Sequence, residues 1–123
     1  MSTPVGPYSP IVSAGPWLIC SGQLGLAPGP GDGTPALVEG GPAAQLTQAV
    51  ANAVALLESQ GASLADVVKT TVFATDTADF PVGNEAYVAA FGGHRPARSM
   101  VAVSALPMGA DGEIELWAHL DPS

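Results

Sequence analysis

Along residues 43–60 apolar side chains recur at Leu46, Val50, Ala53 and Leu57. These steps of four, three and four lie on one helical stripe, which predicts a helix over Ala43–Gln60. Pro42 suits its first position and Gly61 its end, while Gln45, Gln48 and Asn52 are expected on the opposite face. A second helix is expected over Phe80–Phe91, where Phe80, Asn84, Tyr87 and Phe91 share helical spacing and Gly92-Gly93 stops the run. Elsewhere the period is two. Glu113–Leu120 alternates strictly, with Ile114, Leu116, Ala118 and Leu120 against Glu113, Glu115, Trp117 and His119. Val67–Thr75 is a strand with Val68, Thr70, Val72 and Ala74 on one face and Val67, Lys69, Thr71, Phe73 and Thr75 on the other. Arg98–Leu106 is a further strand, and Val12–Ser21 is a strand pair or one bent strand around the Gly15-Pro16 turn, with Gly22–Leu26 as an extension. Ala27–Gly33, Asp76–Asp79 and Pro107–Gly112 are loop or turn by composition, and Gly40-Gly41-Pro42 marks a break.

The order is strands, helix, strand, helix, strands. That is an α+β domain, a mixed sheet with two helices on one face. The other sheet face carries Val, Phe and Trp side chains and needs a cover, and in so short a chain another subunit is the simplest one. At 123 residues, one domain over 1–123 is expected, large enough to hold a real core.

Charge narrows the function classes. Three cations, Lys69, Arg95 and Arg98, face eleven carboxylates, for a net charge of −8. Nucleic-acid binding relies on several Lys or Arg to displace counterions, and anionic membranes make the same demand, so neither partner is expected. One cysteine, Cys20, permits no intrachain disulfide, which fits a reducing compartment. Met1–Pro10 lacks the basic and apolar regions of a secretory signal, and no apolar run is long enough for a membrane helix. The reading is cytoplasmic.

Few residues offer chemistry. Cys20, His94 and His119 lack zinc-ligand spacing, and no phosphate-binding glycine loop is present, so no metal and no organic cofactor is expected. Cys20 reads as a buried structural thiol, and the two histidines as surface or structural residues. Arg98, opening a strand after Pro96, can hold a carboxylate through two parallel hydrogen bonds, or can form a structural ion pair. Glu113 and Glu115 share a strand face, which for Glu115 reads as solvated. Tyr8, in a Gly6-Pro7-Tyr8-Ser9 turn, is a packing aromatic or a hydroxyl donor.

Several segments in order resemble the RidA/YjgF family of reactive-intermediate deaminases. They are Gly6-Pro7-Tyr8-Ser9; Ser21-Gly22-Gln23-Leu24; the LESQGASL run over 57–64; DVVKTTVF over 66–73; Asn84-Glu85-Ala86-Tyr87; and Pro96-Ala97-Arg98-Ser99 with Ala105-Leu106-Pro107 and Glu113-Ile114-Glu115. The resemblance spans about Gly6 to Ala118, and its specificity lies in the ordered set. It implies a chorismate-mutase-like α+β fold, a homotrimer with active sites between subunits, and hydrolysis of 2-iminobutanoate- and 2-iminopropanoate-type imines or enamines to 2-keto acids and ammonium. It implies that Arg98 anchors the substrate carboxylate and that Glu113 positions or activates water. Tyr8, Ser21 and Asn84 match positions lining the same cleft, Gly22 matches a residue whose backbone approaches the ligand, and Tyr8 is a candidate proton donor, with substrate or bound water as alternatives.

Three positions depart from the family pattern. The Gly92–Arg95 loop is shorter by a few residues, Met100 stands where many members carry Cys in the cleft, and Pro10 replaces a usual Gln or Ser. Arg95 either assists Arg98 or only occupies that loop. Two other readings compete: a non-catalytic module that binds a small carboxylate and regulates a partner, and a ribonuclease, which the charge disfavours.

Overall fold

The computed structural model describes residues 6–121. Met1 to Val5, half of the stretch read as lacking a signal, lie outside the described residues, as do Pro122 and Ser123. Seven strands and two α-helices follow in the order β1 (Ile11–Ala14), β2 (Trp17–Leu24), β3 (Leu26–Pro28), β4 (Pro35–Leu37), α1 (Gly41–Ser59), β5 (Val67–Ala74), α2 (Phe80–Phe91), β6 (Ala97–Ala102) and β7 (Gly112–His119). Five strands form one mixed sheet in the order β1-β2-β7-β5-β6. All neighbours are antiparallel except β5 and β6, which run parallel because α2 carries the chain back across the sheet.

The core lies between this sheet and the helices. Leu46, Val50, Ala53 and Leu57 are buried as their stripe requires, with Leu56 and Ala49 beside them, against Leu18, Cys20, Ile114, Leu116 and Ala118 of β2 and β7. Tyr87 and Phe91 of α2 join the same cluster, so both helices cover one face. On the other face Trp17, Val68, Val101 and Trp117 are exposed, and Trp17 meets Trp117 edge-on at 6.1 Å.

The structure revises several expectations. The first strand region is a pair, turned at Gly15 with φ of 59°. Gln45 does not lie on a polar face: it is buried, donating from Nε2 to Asp111 Oδ2 at 3.0 Å and accepting from the Asp111 amide at 2.8 Å. Gly25 permits this close crossing of α1, since a Cβ there would sit 2.6 Å from the Gln45 Cα. Asn52 is also engaged, donating to the carbonyls of Leu24 and Leu26 at 3.1 and 2.9 Å. It thereby fixes β3, which pairs with β4 where a loop was expected. Strands of three residues inside a Gly/Pro-rich stretch leave no readable alternation.

In β5 the register shifts between Val67 and Lys69, so Val67 is buried and Val68 exposed, the reverse of strict alternation. β6 ends at Ala102 rather than Leu106, because its partner β5 ends at Ala74, whose carbonyl takes the Val103 amide. Among the described residues no helix is long and apolar enough to cross a membrane.

Candidate functional site

Arg98 enters β6 opposite Thr70 of β5, on the helix-covered face. α2 holds its guanidinium in two ways. Nη1 donates to Asn84 Oδ1 at 2.8 Å, and Cζ lies 4.9 Å from the centre of the Tyr87 ring. Asn84 and Tyr87 are three residues apart, hence one above the other on a single helix face. Tyr87 is itself locked. Its hydroxyl shares a 2.8 Å hydrogen bond with buried Thr70 and its ring stacks on Phe91 at 4.3 Å. Among the described residues no carboxylate lies within ion-pair distance of Arg98. The structural ion pair that the sequence left open is therefore not what the structure shows, and the guanidinium is aimed but unneutralised. Asn84, Tyr87, Val88, Arg95, Pro96 and Arg98 line an open cleft of about 260 Å³.

Glu113 belongs to a second group of residues. It opens β7 between Phe73 of β5 and Leu24 of β2. There β2 is irregular between Cys20 and Gln23, the kind of bulge that re-aims side chains near functional sites. Within it, the Glu113 carboxyl packs on Gly22, where a Cβ would lie 2.7 Å from the carboxyl carbon. Burial first, and then the neighbouring Glu115, push the Glu113 carboxyl above the ordinary glutamate range. Ser21, the residue before Gly22, ties down the N-terminal segment: Oγ donates to the Ser9 carbonyl at 2.7 Å, and the Ser21 amide donates to the Pro10 carbonyl at 2.9 Å. Tyr8, next to that tether, is exposed.

The structure thus brings Arg98 together with Asn84, and Glu113 together with Gly22, the residue after Ser21 in β2, but it does not bring the two groups together within one chain. Side chains alternate along a strand, so Glu113 lies opposite to buried Ile114 and Leu116, on the uncovered face. Arg98 lies on the helix-covered face, and β5 stands between β6 and β7.

The remaining candidates are structural. Cys20 is buried and its thiol is pushed up to about 12 by that burial, so it is not a nucleophile. His94 Nε2 donates to the Val67 carbonyl at 2.7 Å. His119 packs edge-on against Trp17 and lies 3.2 Å from Asp121. Met100, expected in the Arg98 cleft, instead fills the space beneath α2, where its methyl would lie 3.3 Å from a Cβ on Gly83. It lines a separate small hollow with Leu46 and Val72, because side chains at 98 and 100 share a face but are a full pleat apart. One residue emerges that sequence reasoning did not place in the site, Tyr87 beneath Arg98; Arg95, left open between assisting Arg98 and only occupying its loop, lies on the cleft wall. For Tyr87 the signal was its i+3 spacing from Asn84.

Residues 1–120 match the family described as Endoribonuclease L-PSP. The 2-iminobutanoate/2-iminopropanoate deaminase of Mus musculus is 41% identical over 118 residues, covering 96% of this chain and 84% of that protein. A RutC family protein of Pyrococcus horikoshii is 41% identical over 116 residues, covering 94% of this chain and 89% of that one. The crystal structure of RidA from the Antarctic bacterium Psychrobacter superposes with a TM-score of 0.86 at 43% identity, covering 96% of this chain and 92% of that one.

Proposed function

The chain belongs to the Endoribonuclease L-PSP family, and we propose that it hydrolyses 2-imino acids of the iminobutanoate and iminopropanoate type to 2-keto acids and ammonium. The observation that carries this reading is Arg98, aimed by Asn84 and Tyr87 and neutralised by no carboxylate among the described residues, in a chain with eleven acids. Such a guanidinium is prepared for a substrate carboxylate.

Arg98 fixes that carboxylate and so orients the adjacent C=N carbon. Holding a reactant in this way removes several kcal/mol from a barrier, about 7–11 at the most favourable. Water adds to the carbon and gives up its proton to the Glu113 carboxylate. Burial raises the basicity of Glu113, which suits it to this task. Tyr8, one residue before the tethered Ser9 carbonyl, is assigned as donor to the nitrogen. The tetrahedral carbinolamine then collapses: Glu113 passes its proton to the amine nitrogen, the C–N bond breaks and ammonia leaves, the hydroxyl proton returns to Tyr8 as the carbonyl forms, and the released ammonia takes up a proton from water.

One imino acid spans only a few ångströms, whereas β6 and β7 are separated by roughly 9–10 Å across β5. Arg98 and Glu113 also project from opposite faces. A working site therefore takes Arg98 from one copy and Glu113 from another. The exposed Trp17, Val68, Val101 and Trp117 face supplies apolar surface for such an assembly, which we assign as a homotrimer.

The test generates 2-iminobutanoate in situ with a threonine dehydratase and traps residual imine with semicarbazide. The protein should speed 2-oxobutanoate release and suppress trapping, and folded Arg98→Ala should lose at least about 100-fold in kcat/KM. Near-full activity in Arg98→Ala overturns the site. Absence of turnover in the native protein, with keto-acid affinity unaffected by Glu113→Ala, would leave a carboxylate-binding module instead.

A further inference from the structure

Arg95 and Arg98 are two of only three cations in the chain, and both line the same cleft. The remaining lining residues, Asn84, Tyr87, Val88 and Pro96, include no carboxylate. In a chain of net charge −8 this is a local concentration of positive charge with no ion-paired carboxylate among the described residues. Within it the two arginines stand differently. Arg98 is presented by α2, through Asn84 and Tyr87. Arg95 is presented by its own loop: Nη1 donates to the Gly92 carbonyl at 2.5 Å and to the His94 carbonyl at 3.0 Å.

That loop is compact. Gly92 and His94 amides bond back to Val88 and Phe91, and the His94 ring reaches the Val67 carbonyl. With Nη1 anchored at one corner of the planar fork, the ordering cost of a long side chain is already met. The remaining N–H groups stay available to an anion. Two arginines fixed on different supports make two anchor points, and two anchor points match a ligand with two separated anionic groups.

We propose that Arg95 is a specificity-determining residue that makes the cleft a site for dianionic substrates, namely 2-imino dicarboxylic acids. This inference rests on the imine-hydrolase reading of the same cleft. Arg98 takes the carboxylate beside the C=N bond, and Arg95 takes the carboxylate at the far end of the side chain. The bond chemistry is that of any 2-imino acid: water in, ammonium out, with a 2-keto dicarboxylate as product. The reaction class that supplies such a substrate is the oxidation of an acidic amino acid at its α-carbon.

The experiment compares imines made in situ by amino-acid oxidases from alanine and 2-aminobutyrate with those made from aspartate and glutamate. Each is assayed with the full-length protein and with Arg95→Gln. The readout is the ratio of kcat/KM for dicarboxylic over monocarboxylic imines. That ratio should be well above one for the native protein and fall at least tenfold in Arg95→Gln, with Arg95→Lys in between. In parallel, calorimetry measures oxaloacetate and 2-oxoglutarate against 2-oxobutanoate, binding that needs no turnover.

An unchanged ratio in Arg95→Gln overturns the inference, as does a native protein that prefers monocarboxylic imines. If Arg95→Gln lowers thermal stability but moves neither the ratio nor keto-acid selectivity, Arg95 is only a loop staple and the inference fails. If no imine is hydrolysed, yet dicarboxylate binding is preferred and is lost in Arg95→Gln, the deaminase reading fails while the dianion site stands.

Discussion

The carboxyl carbon of Glu113 lies 2.7 Å from where a side chain at residue 22 would begin, so Gly22 and Glu113 occupy one space that only glycine leaves open. Gly22→Ala should therefore displace the carboxylate and not merely crowd it. A misplacement of about 1 Å can cost on the order of 100-fold in rate. The expected outcome is a folded protein with kcat for 2-iminobutanoate reduced by about that factor and KM little changed. Circular dichroism checks folding, and coupled keto-acid release checks kcat.

Asn84 acts on the other end of the substrate. Asn84→Ala removes the acceptor 2.8 Å from Arg98 Nη1 and leaves the Tyr87 ring as the guanidinium's remaining support. KM should rise about tenfold with a smaller change in kcat, because losing the order of a binding group weakens ground and transition states alike. A drop in kcat at constant KM would instead mean that Asn84 touches the reacting nitrogen.

Glu113 also ties stability to pH, with a definite sign. Its pKa in the folded protein is raised, mainly by burial, so the unfolded chain ionises first as pH rises. Ionisation therefore favours unfolding: the cost is absent below the unfolded pKa of about 4.3, grows through the interval up to the folded pKa, and is complete above it. Glu113→Gln should accordingly raise the melting temperature at neutral pH, with the gain shrinking to nothing near pH 4. Thermal denaturation of both proteins across pH 4 to 8 measures this difference directly, and it should accompany a loss of turnover.

The same glycine logic applies to the fold. Gly25 lies where α1 crosses the corner between β2 and β3, and a Cβ there would meet backbone of Gln45, which cannot swing aside as a side chain can. Gly25→Ala should cost ~1–3 kcal/mol, as overpacking does, and lower the melting temperature accordingly. Since the same strain moves Gln45 away from Asp111, the double variant with Gln45→Ala should show less than the sum of the two single losses.

How legible each part was in the sequence follows from how local its cause is. The α1 stripe and the β7 alternation are periodic over many residues, and the structure follows them closely. Arg98 stood out because cations are scarce here. Long-range pairing was not legible: Gln45 looks like a surface glutamine until Asp111, 66 residues later, meets it. Val67 and Val68 exchange faces through one register shift, which no repeat announces. Most consequential, nothing in the order of residues says that Arg98 and Glu113 point to opposite sides. That is set by register: Arg98 pairs with Thr70 and Glu113 with Phe73, three residues apart along β5 and so on opposite faces.

This opposition of faces leads to a complementation test. If each site joins Arg98 of one copy to Glu113 of another, two inactive variants can repair one another. Arg98→Ala chains retain Glu113, and Glu113→Gln chains retain Arg98. Unfolded together in equal amounts and refolded, they assemble at random into cyclic oligomers. A site is intact when its Arg98 side comes from the Glu113→Gln chain and its Glu113 side from the Arg98→Ala chain. Independent choices at two positions make about a quarter of all sites intact, so the mixture should recover roughly that share of native activity. Each variant refolded alone should stay inactive, and so should a mixture refolded separately and combined without exchange. The double variant Arg98→Ala/Glu113→Gln refolded with native protein serves as the control for assembly: it gains no site from mixing and loses those it poisons. If the refolded mixture of single variants shows mixed oligomers by native mass spectrometry yet no activity, both groups belong to one chain's site and the shared-site arrangement is wrong. Recovery near a quarter would place the catalytic carboxylate and the anchoring arginine on separate copies.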